Sequence, residues 1–336
     1  MRLKLIILAL MSASAPAFAQ APTQSPPARI APGSSGLHNE LADAITAYQD
    51  RRFGDALSQA ENLAARGNGR AATLAGLIYE RGLTGPSAPT QAARLYRRGV
   101  GAGDSDAMMG LARLGMSRLG GATPAEALNV LQRAVSLGRM DATAALGDLF
   151  LSGAAGPRDP NRAASLYARA AASGDADSAY AAGVLYSDGD PDPIDDPLKA
   201  IAFLKQAAEA GRGDASADYG LMLYQGRGVA RDLVRAASWF KIAAEKNDKD
   251  GAFYWALVNA RGEGAPRNLQ TALIFARQAR GSSPEADSLL AQLERALITP
   301  VPAPAPAPAL APASVLRPPP QPLPQTPSTP RVRSKR

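Results

Sequence analysis

The pair of residues with the most suggestive catalytic spacing is Ser238 and Lys241, in the segment Ser-Trp-Phe-Lys. On a helix this S-x-x-K spacing places a hydroxyl and an amine one turn apart, as in penicillin-recognising enzymes. Those enzymes also need S-D-N and K-T-G motifs, and neither follows in this sequence. The intervening Trp239 and Phe240 are typical of a helix that packs on a core. We therefore favour a helix surface, with a wall-active or penicillin-binding enzyme as the alternative.

An acidic loop is the candidate for metal binding. Asp188, Asp190 and Asp192 alternate as in the opening of a calcium loop, because Ca²⁺ prefers clustered carboxylate oxygens. Pro193 stands where such a loop needs a turning glycine, and Lys199 stands where it needs a bidentate glutamate. The sequence predicts a solvated turn with one inserted residue, and a weak Ca²⁺ site at the three aspartates is the alternative.

Most other site chemistry is excluded by composition. The chain has no cysteine, and its one histidine, His38, lies at the edge of a segment rich in Pro, Ser and Gly. A Ser-His-Asp triad and a Cys/His metal site therefore have too few members. The tripeptide Arg212-Gly213-Asp214 resembles an adhesion motif, but it falls at a joint of the repeat described next. We predict a protein that is not an enzyme and has no cofactor.

A repeat of about 36 residues runs from about Ala71 to Arg280 and contains the serine–lysine pair, the acidic loop and the tripeptide. One series of small residues recurs at spacings of 35 to 37 residues: Gly76, Ala112, Gly147, Gly183, Gly220 and Ala256. A series of alanines keeps the same step: Ala92, Ala127, Ala163, Ala200, Ala236 and Ala272. Periods of this length indicate a solenoid, in which each repeat packs only on its neighbours.

Each copy of the repeat predicts two helices. The first helix is expected to be N-capped by an aspartate, and the candidates are Asp106, Asp141, Asp177, Asp214 and Asp250. It is expected to end at a glycine in the left-handed conformation, at Gly153, Gly189, Gly226 or Gly262. The second is expected to begin near Asp159, Asp196, Asp232 or Asn268. The small residues are expected at helix crossings, where they let two backbones approach closely.

The motif A-x-x-x-L-G-x-x-Y-x-x-G-x-G-V-x-x-D-x-x-x-A-x-x-W-[FY]-x-x-A-A resembles the Sel-one-like repeat (SLR), a tetratricopeptide-like (TPR-like) family. The fifth copy carries it best, with Tyr219-Gly220, Gly226, Asp232 and Trp239-Phe240, whereas the second departs at Ala112 and Arg118. The resemblance implies an all-α, α/α superhelical solenoid of six repeats that serves as an adaptor. Some exported bacterial members resemble periplasmic regulators of sensor kinases. Cysteine-rich members have been described as binding penicillin-like substrates, a parallel that this cysteine-free chain weakens.

The two ends of the chain differ from the repeats. Residues 1–19 have a basic start, an apolar run and an Ala-Phe-Ala end, which predicts a signal peptide cleaved near Ala19 and a periplasmic protein without a membrane span. We assign 20–37 to a disordered leader, 38–70 to a helical cap, 71–298 to six repeats, and 299–336 to a disordered Pro/Ala-rich tail. The formal charge of +7 lies largely in the ends, so residues 38–298 are near neutral and nucleic-acid binding is not predicted.

Aromatic residues outside the repeated core positions are the candidates for partner binding. Tyr180, Phe253 and Tyr254 lie on first helices, which usually line the concave face of such a superhelix, where they would anchor a partner protein. Core packing is the other interpretation of the same residues. The tail is either a spacer, a polyproline ligand or the binding part of a tether, and its basic end is expected to contact membrane or cell wall weakly.

Overall fold

The computed structural model describes residues 35–187 and 194–298 of the chain. Fifteen α-helices and no strand occur in these two ranges, which confirms the all-α prediction. In chain order they are α1 Ser35–Gln49, α2 Phe53–Ala65, α3 Gly69–Arg81, α4 Pro89–Gly101, α5 Ser105–Met116, α6 Pro124–Ser136, α7 Met140–Ser152, α8 Pro160–Ala171, α9 Ala176–Ser187, α10 Pro197–Glu209, α11 Gly213–Gln225, α12 Leu233–Glu245, α13 Lys249–Arg261, α14 Leu269–Gln278 and α15 Pro284–Ile298.

The helices pack in sequence order as a solenoid. Six hairpins, from α3–α4 to α13–α14, follow a front hairpin α1–α2, and α15 covers the last of them. Among the six hairpins, the first helices α3 and α5 contact each other, as do α11 and α13, and no two consecutive second helices of the described residues come into contact as closely. The first helices therefore lie on the inner side of the array. We call the solvent-facing side of α3, α5, α7, α9, α11 and α13 the inner face.

The small residues of the repeat lie where the two helices of a hairpin cross. A Cβ atom built on Gly183 would lie 2.7 Å from Cγ of Leu204, and one on Gly220 would lie 2.9 Å from the Phe240 ring. Distances below 3.0 Å cannot be accommodated without a shift. A large side chain of the second helix thus fills the notch that the glycine leaves, and the expectation from the sequence is confirmed.

The predicted N-caps of the first helices are wrong. These helices begin two residues earlier, so that Asp104 and Asp248 cap α5 and α13 by accepting hydrogen bonds from the amides of Asp106 and Gly251. Arg139 and Arg212 occupy the cap position of α7 and α11 without a side-chain cap. The five repeated aspartates lie in the first turn, where the free amides and the helix dipole also favour a carboxylate.

The glycine ends of the first helices and the caps of the second helices follow the predictions. Gly153, Gly226 and Gly262 adopt left-handed φ angles of 67°, 73° and 75° at the ends of first helices. Asp159, Asp196, Asp232 and Asn268 each cap a second helix by accepting from the amide three residues later. Gly189 lies outside the described residues. Helix α1 begins at Ser35, inside the stretch assigned to the leader, and α3 begins at Gly69.

Second helices are tied to the preceding repeat by side-chain hydrogen bonds to the end of its second helix. The Gln206 amide donates to the carbonyl oxygen of Ala171, and the Gln278 amide donates to that of Ala244, each at 2.7 Å. Arg98 donates to the Ala65 carbonyl at 2.8 Å in the same way. Last-turn carbonyls have no partner within their own helix. The carbonyls of Ala171 and Ala244 also accept from the amides of Gly174 and Asn247, so each glutamine adds a second hydrogen bond there and ties neighbouring repeats together.

Candidate protein-binding face

The inner face carries a mixture of apolar, aromatic and acidic side chains. On each first helix, the inner face contains three positions, which lie three residues before, two residues before and one residue after the repeated small residue. The members that are half-buried or exposed are Thr73, Leu74, Leu77, Met109, Arg113, Ala144, Ala145, Asp148, Tyr180, Asp218, Leu221, Phe253, Tyr254 and Leu257. Apolar and aromatic side chains therefore reach solvent along the whole array.

Tyr180 is half-buried and held between two neighbours. Its hydroxyl donates to Oδ2 of Asp218 on α11 at 3.1 Å, and the Arg212 guanidinium carbon lies 4.7 Å from the ring centroid. The tyrosine thus links α9 to α11 and leaves part of its ring on the inner face.

Phe253 and Tyr254 lie together two repeats further along. The Tyr254 ring stacks on the buried Phe240 ring at 4.9 Å, and the Phe253 ring is 5.1 Å from that of Tyr254. Phe253 also packs against a small cluster that includes Ala252 and Ala279. Both side chains are half-buried: each packs against the core on one side and leaves part of its surface exposed to solvent.

An ion pair between an exposed arginine and a half-buried glutamate lies at the N-terminal end of the inner face. The Arg113 guanidinium donates from Nε to Oε1 and from Nη2 to Oε2 of Glu80, both at 2.7 Å, and the Tyr96 hydroxyl donates to Oε2 at 2.6 Å. Burial opposes the charge on Glu80, but the bidentate Arg113 and then Tyr96 hold the pKa of this carboxyl below its usual value. The pair joins α3 to α5.

A second tyrosine–carboxylate pair lies on α7 and α8. The Tyr167 hydroxyl donates to Oδ1 of Asp148 at 2.5 Å. Burial, and to a smaller extent the charge of Asp175, raises the pKa of Asp148 above its usual value despite that hydrogen bond. Sequence reasoning missed both pairs. The available indication was a tyrosine, Tyr96 or Tyr167, where the other second helices of the six repeats have leucine, phenylalanine or alanine.

Repeated arginines bridge the starts of neighbouring first helices. Arg212 pairs with Asp177 of the preceding repeat and, at 2.6 Å, with Asp214 of its own. Arg139 does the same with Asp106 and Asp141, at 2.5 Å in each case. Arg212 and Asp214 of the adhesion-like tripeptide therefore pair with each other at the start of α11.

Ser238 and Lys241 lie exposed on the second helix α12, away from the inner face. The Ser238 hydroxyl donates to the Val234 carbonyl at 3.0 Å, and Nζ of Lys241 lies 3.7 Å from Oε1 of Glu245. Within 35–187 and 194–298, the hydrogen bond found for the Ser238 hydroxyl is this one to a backbone carbonyl and not one to a general base. The plainer interpretation of the S-x-x-K motif, a helix surface, fits what the structure shows.

The metal candidate falls outside the described residues, since Asp188, Asp190 and Asp192 belong to 188–193. Within 35–187 and 194–298, no group of three His, Asp or Glu side chains is placed to hold a metal ion. None of the helices in those ranges is long and apolar enough to cross a membrane.

Five stretches of the repeat array match the Sel1 repeat model: 69–104, 141–175, 176–211, 213–248 and 249–280. Together they cover just over half of the chain. The chain belongs to the Sel1 repeat family. The α5–α6 hairpin is the unmatched Sel1-like copy, and there Arg118 takes a φ of 56° where other copies place glycine. Six hairpins are thus present, of which five match the family model.

Two solved Sel1-type structures share the fold. The first is c5321, a protective antigen of uropathogenic Escherichia coli, with a TM-score of 0.64 and 24% identity over 72% of this chain and 52% of that one. The chain therefore spans about half the length of the E. coli protein. The second, a Sel1 repeat protein of Oxalobacter formigenes, has a TM-score of 0.56 and 22% identity over 72% of this chain and 96% of that one. No curated protein sequence matches the chain. Sel1 repeat proteins generally mediate protein–protein interactions.

Proposed function

We propose that this Sel1 repeat protein is an exported, non-catalytic adaptor or regulator that binds a partner protein on its inner face. One observation carries the proposal. The inner face leaves at least one apolar or aromatic side chain half-buried in every repeat, from Leu77 on α3 to Leu257 on α13. Partly exposed side chains on a rigid helical scaffold are suited to become buried against a partner at low entropic cost.

The enzyme alternative has little support. Ser238 and Lys241 each bind a group on their own helix and lie on the outer surface. The tether alternative depends on the tail, which lies outside the described residues. The outer surface offers a third possibility, because Leu198, Val234 and Ile274 are 71%, 66% and 63% exposed on second helices. These three side chains make the outer surface the natural comparison in an experiment.

The location of the protein is a proposal of its own. We infer export to the periplasm from residues 1–19, which combine a basic start with an apolar run and a small-x-small end. Cell fractionation should place the protein in the periplasm with Gln20 as its first residue. Recovery from the cytoplasm with Met1 retained would contradict export.

Site-specific photo-crosslinking in cells tests the binding face. A photoreactive amino acid replaces Leu77, Leu221 or Leu257 on the inner face, and the matched controls carry it at Leu198, Val234 or Ile274. We expect a discrete crosslinked product from the inner positions and none from the outer ones, with mass spectrometry identifying the partner. Products from the outer positions alone would contradict the proposal.

A further inference from the structure

Two tyrosine–carboxylate pairs occur at related places in the array, and only one of them is completed by a cation. Tyr96 and Tyr167 occupy the same position of their second helices, four residues after Ala92 and Ala163. Each donates its hydroxyl to a carboxylate of the first helix in its own hairpin, at 2.6 Å for Glu80 and 2.5 Å for Asp148. Relative to the repeated glycine of their helices, the two acids stand about one turn apart, since Glu80 is four residues after Gly76 and Asp148 is one residue after Gly147.

The first pair shows how this kind of site binds a guanidinium. Arg113 comes from the next first helix and makes two parallel hydrogen bonds of 2.7 Å to Glu80. The carboxylate then accepts three hydrogen bonds in all, one of them from Tyr96. Fork-to-fork geometry of this kind is a property of arginine that lysine does not share.

The second pair lacks such a cation. Among the described residues, Tyr167 is the hydrogen-bond partner of Asp148, and no lysine or arginine forms an ion pair with it. Neither α7 nor the next first helix, α9, contains a basic residue. Burial raises the pKa of Asp148, and the negative charge of Asp175 adds to that rise. A half-buried carboxylate without a cation is costly to the fold, which is a reason to look for an external partner.

We infer that Asp148 and Tyr167 form a binding site for an arginine side chain of the partner protein on the inner face. The guanidinium would take the acceptor positions that Arg113 fills on Glu80. Ala144 and Ala145 precede Asp148 on α7, so small side chains flank the carboxylate and leave room for the aliphatic stem of the arginine. This inference rests on the proposed function, because it assigns one contact within the proposed binding face.

Peptide titration of the full chain, observed through the amide NMR signals of Ala145 and Leu149, tests the site. The probe is an acetylated, amidated pentapeptide with a central arginine between alanine and glycine residues. Matched peptides carry citrulline, which has the same shape without the charge, or lysine. We expect the arginine peptide to shift these signals. The affinity of the citrulline peptide should be lower by at least about tenfold. The affinity of the lysine peptide should lie between those of the arginine and citrulline peptides.

Protein variants assign the effect to the carboxylate. Asp148→Asn keeps an oxygen for the Tyr167 hydroxyl but removes the charge, and it should weaken the arginine peptide about tenfold. Glu245→Gln removes one charge from exposed α12 and should leave binding unchanged. Equal binding by Asp148→Asn and the wild type, or by the citrulline and arginine peptides, would overturn the inference.

The source of the arginine is tested separately. The tail of this chain contains Arg331 and Arg333, so the double variant Arg331→Ala/Arg333→Ala is compared with the wild type without peptide. Unchanged signals of Ala145 and Leu149 support a partner protein as the source, and shifted signals would show that the chain supplies its own arginine. If inner-face crosslinks form but Asp148→Asn leaves both peptide binding and crosslinking intact, the inference fails and the proposed function stands. Absence of inner-face crosslinks would contradict the proposed function itself.

Discussion

At the scale of single residues, the glycines at helix crossings constrain the fold most tightly. Gly183 would place a Cβ 2.7 Å from Cγ of Leu204 and 3.0 Å from the Leu204 backbone nitrogen. A backbone atom cannot move aside as the end of a side chain does, so even one methyl group forces the two helices apart. The crossing therefore requires glycine because of its neighbour, and not because of its own backbone conformation.

Gly183→Ala is expected to destabilise the protein by about 1–3 kcal/mol through overpacking against Leu204. Gly101→Ala is the matched control, because Gly101 is also helical but a Cβ added there would have no atom within 4 Å. The control should gain up to about 1 kcal/mol from the higher helix propensity of alanine. Urea unfolding of both variants measures the difference, and equal stability of Gly183→Ala and the wild type would contradict close contact at this crossing.

Asp148 leads to a prediction about pH. Its pKa is raised in the folded state, so its ionised form costs stability above that folded pKa, and the cost disappears at pH values below the unfolded pKa of about 3.9. Asp148→Asn should therefore be more stable than the wild type at pH 7, and the advantage should shrink as the pH falls. Urea unfolding at several pH values measures it. A variant that is less stable than the wild type at pH 7 would show that the ionised carboxylate supports the fold.

At the scale of helices, the contacts between repeats are specific hydrogen bonds as well as apolar packing. Gln206 reaches the last-turn carbonyl of Ala171 at 2.7 Å, across one repeat. Gln206→Ala should cost about 0.5–1.5 kcal/mol, since it leaves a part-buried carbonyl without this donor. Arg169 is exposed and occupies the position of α8 that is equivalent to Gln206, so Arg169→Ala is the control for shortening a long side chain at this position. Thermal melting of the two variants should separate them, and equal melting temperatures would show that the Gln206 bond adds nothing.

The helices themselves were predictable because their boundaries depend on local chemistry. Gly226 must adopt a positive φ, and Asp232 caps the helix that follows, so both can be read from single residues. The first-helix caps were misassigned because a carboxylate is favourable both at the cap and in the first turn. The pair of Asp148 and Tyr167 was not predictable, since it depends on how two helices cross and which acid the hydroxyl then reaches.

At the scale of the whole molecule, stability is the sum of neighbouring contacts, so each end of the array needs a cover. Helix α15 provides it at the C-terminal end, where the buried Leu290 and Leu293 pack against Ala272 and Ala276 of α14. The sequence pattern counted this helix with the repeats. In the structure it is a single helix, without a partner of its own among the described residues, that closes the last hairpin.

Two truncated chains distinguish the contribution of α15 to stability from that of residues 299–336. A chain ending at Ile298 keeps α15 and should melt like the full protein, because every described helix is retained. A chain ending at Ser283 loses Leu290 and Leu293, whose burial contributes about 3–6 kcal/mol, and exposes Ala272 and Ala276. Since repeats contact only their neighbours, the loss should be confined to α13 and α14, which faster amide hydrogen exchange there would reveal while α7 to α10 stay protected. Uniformly faster exchange along the array would instead show that the solenoid unfolds as one cooperative unit.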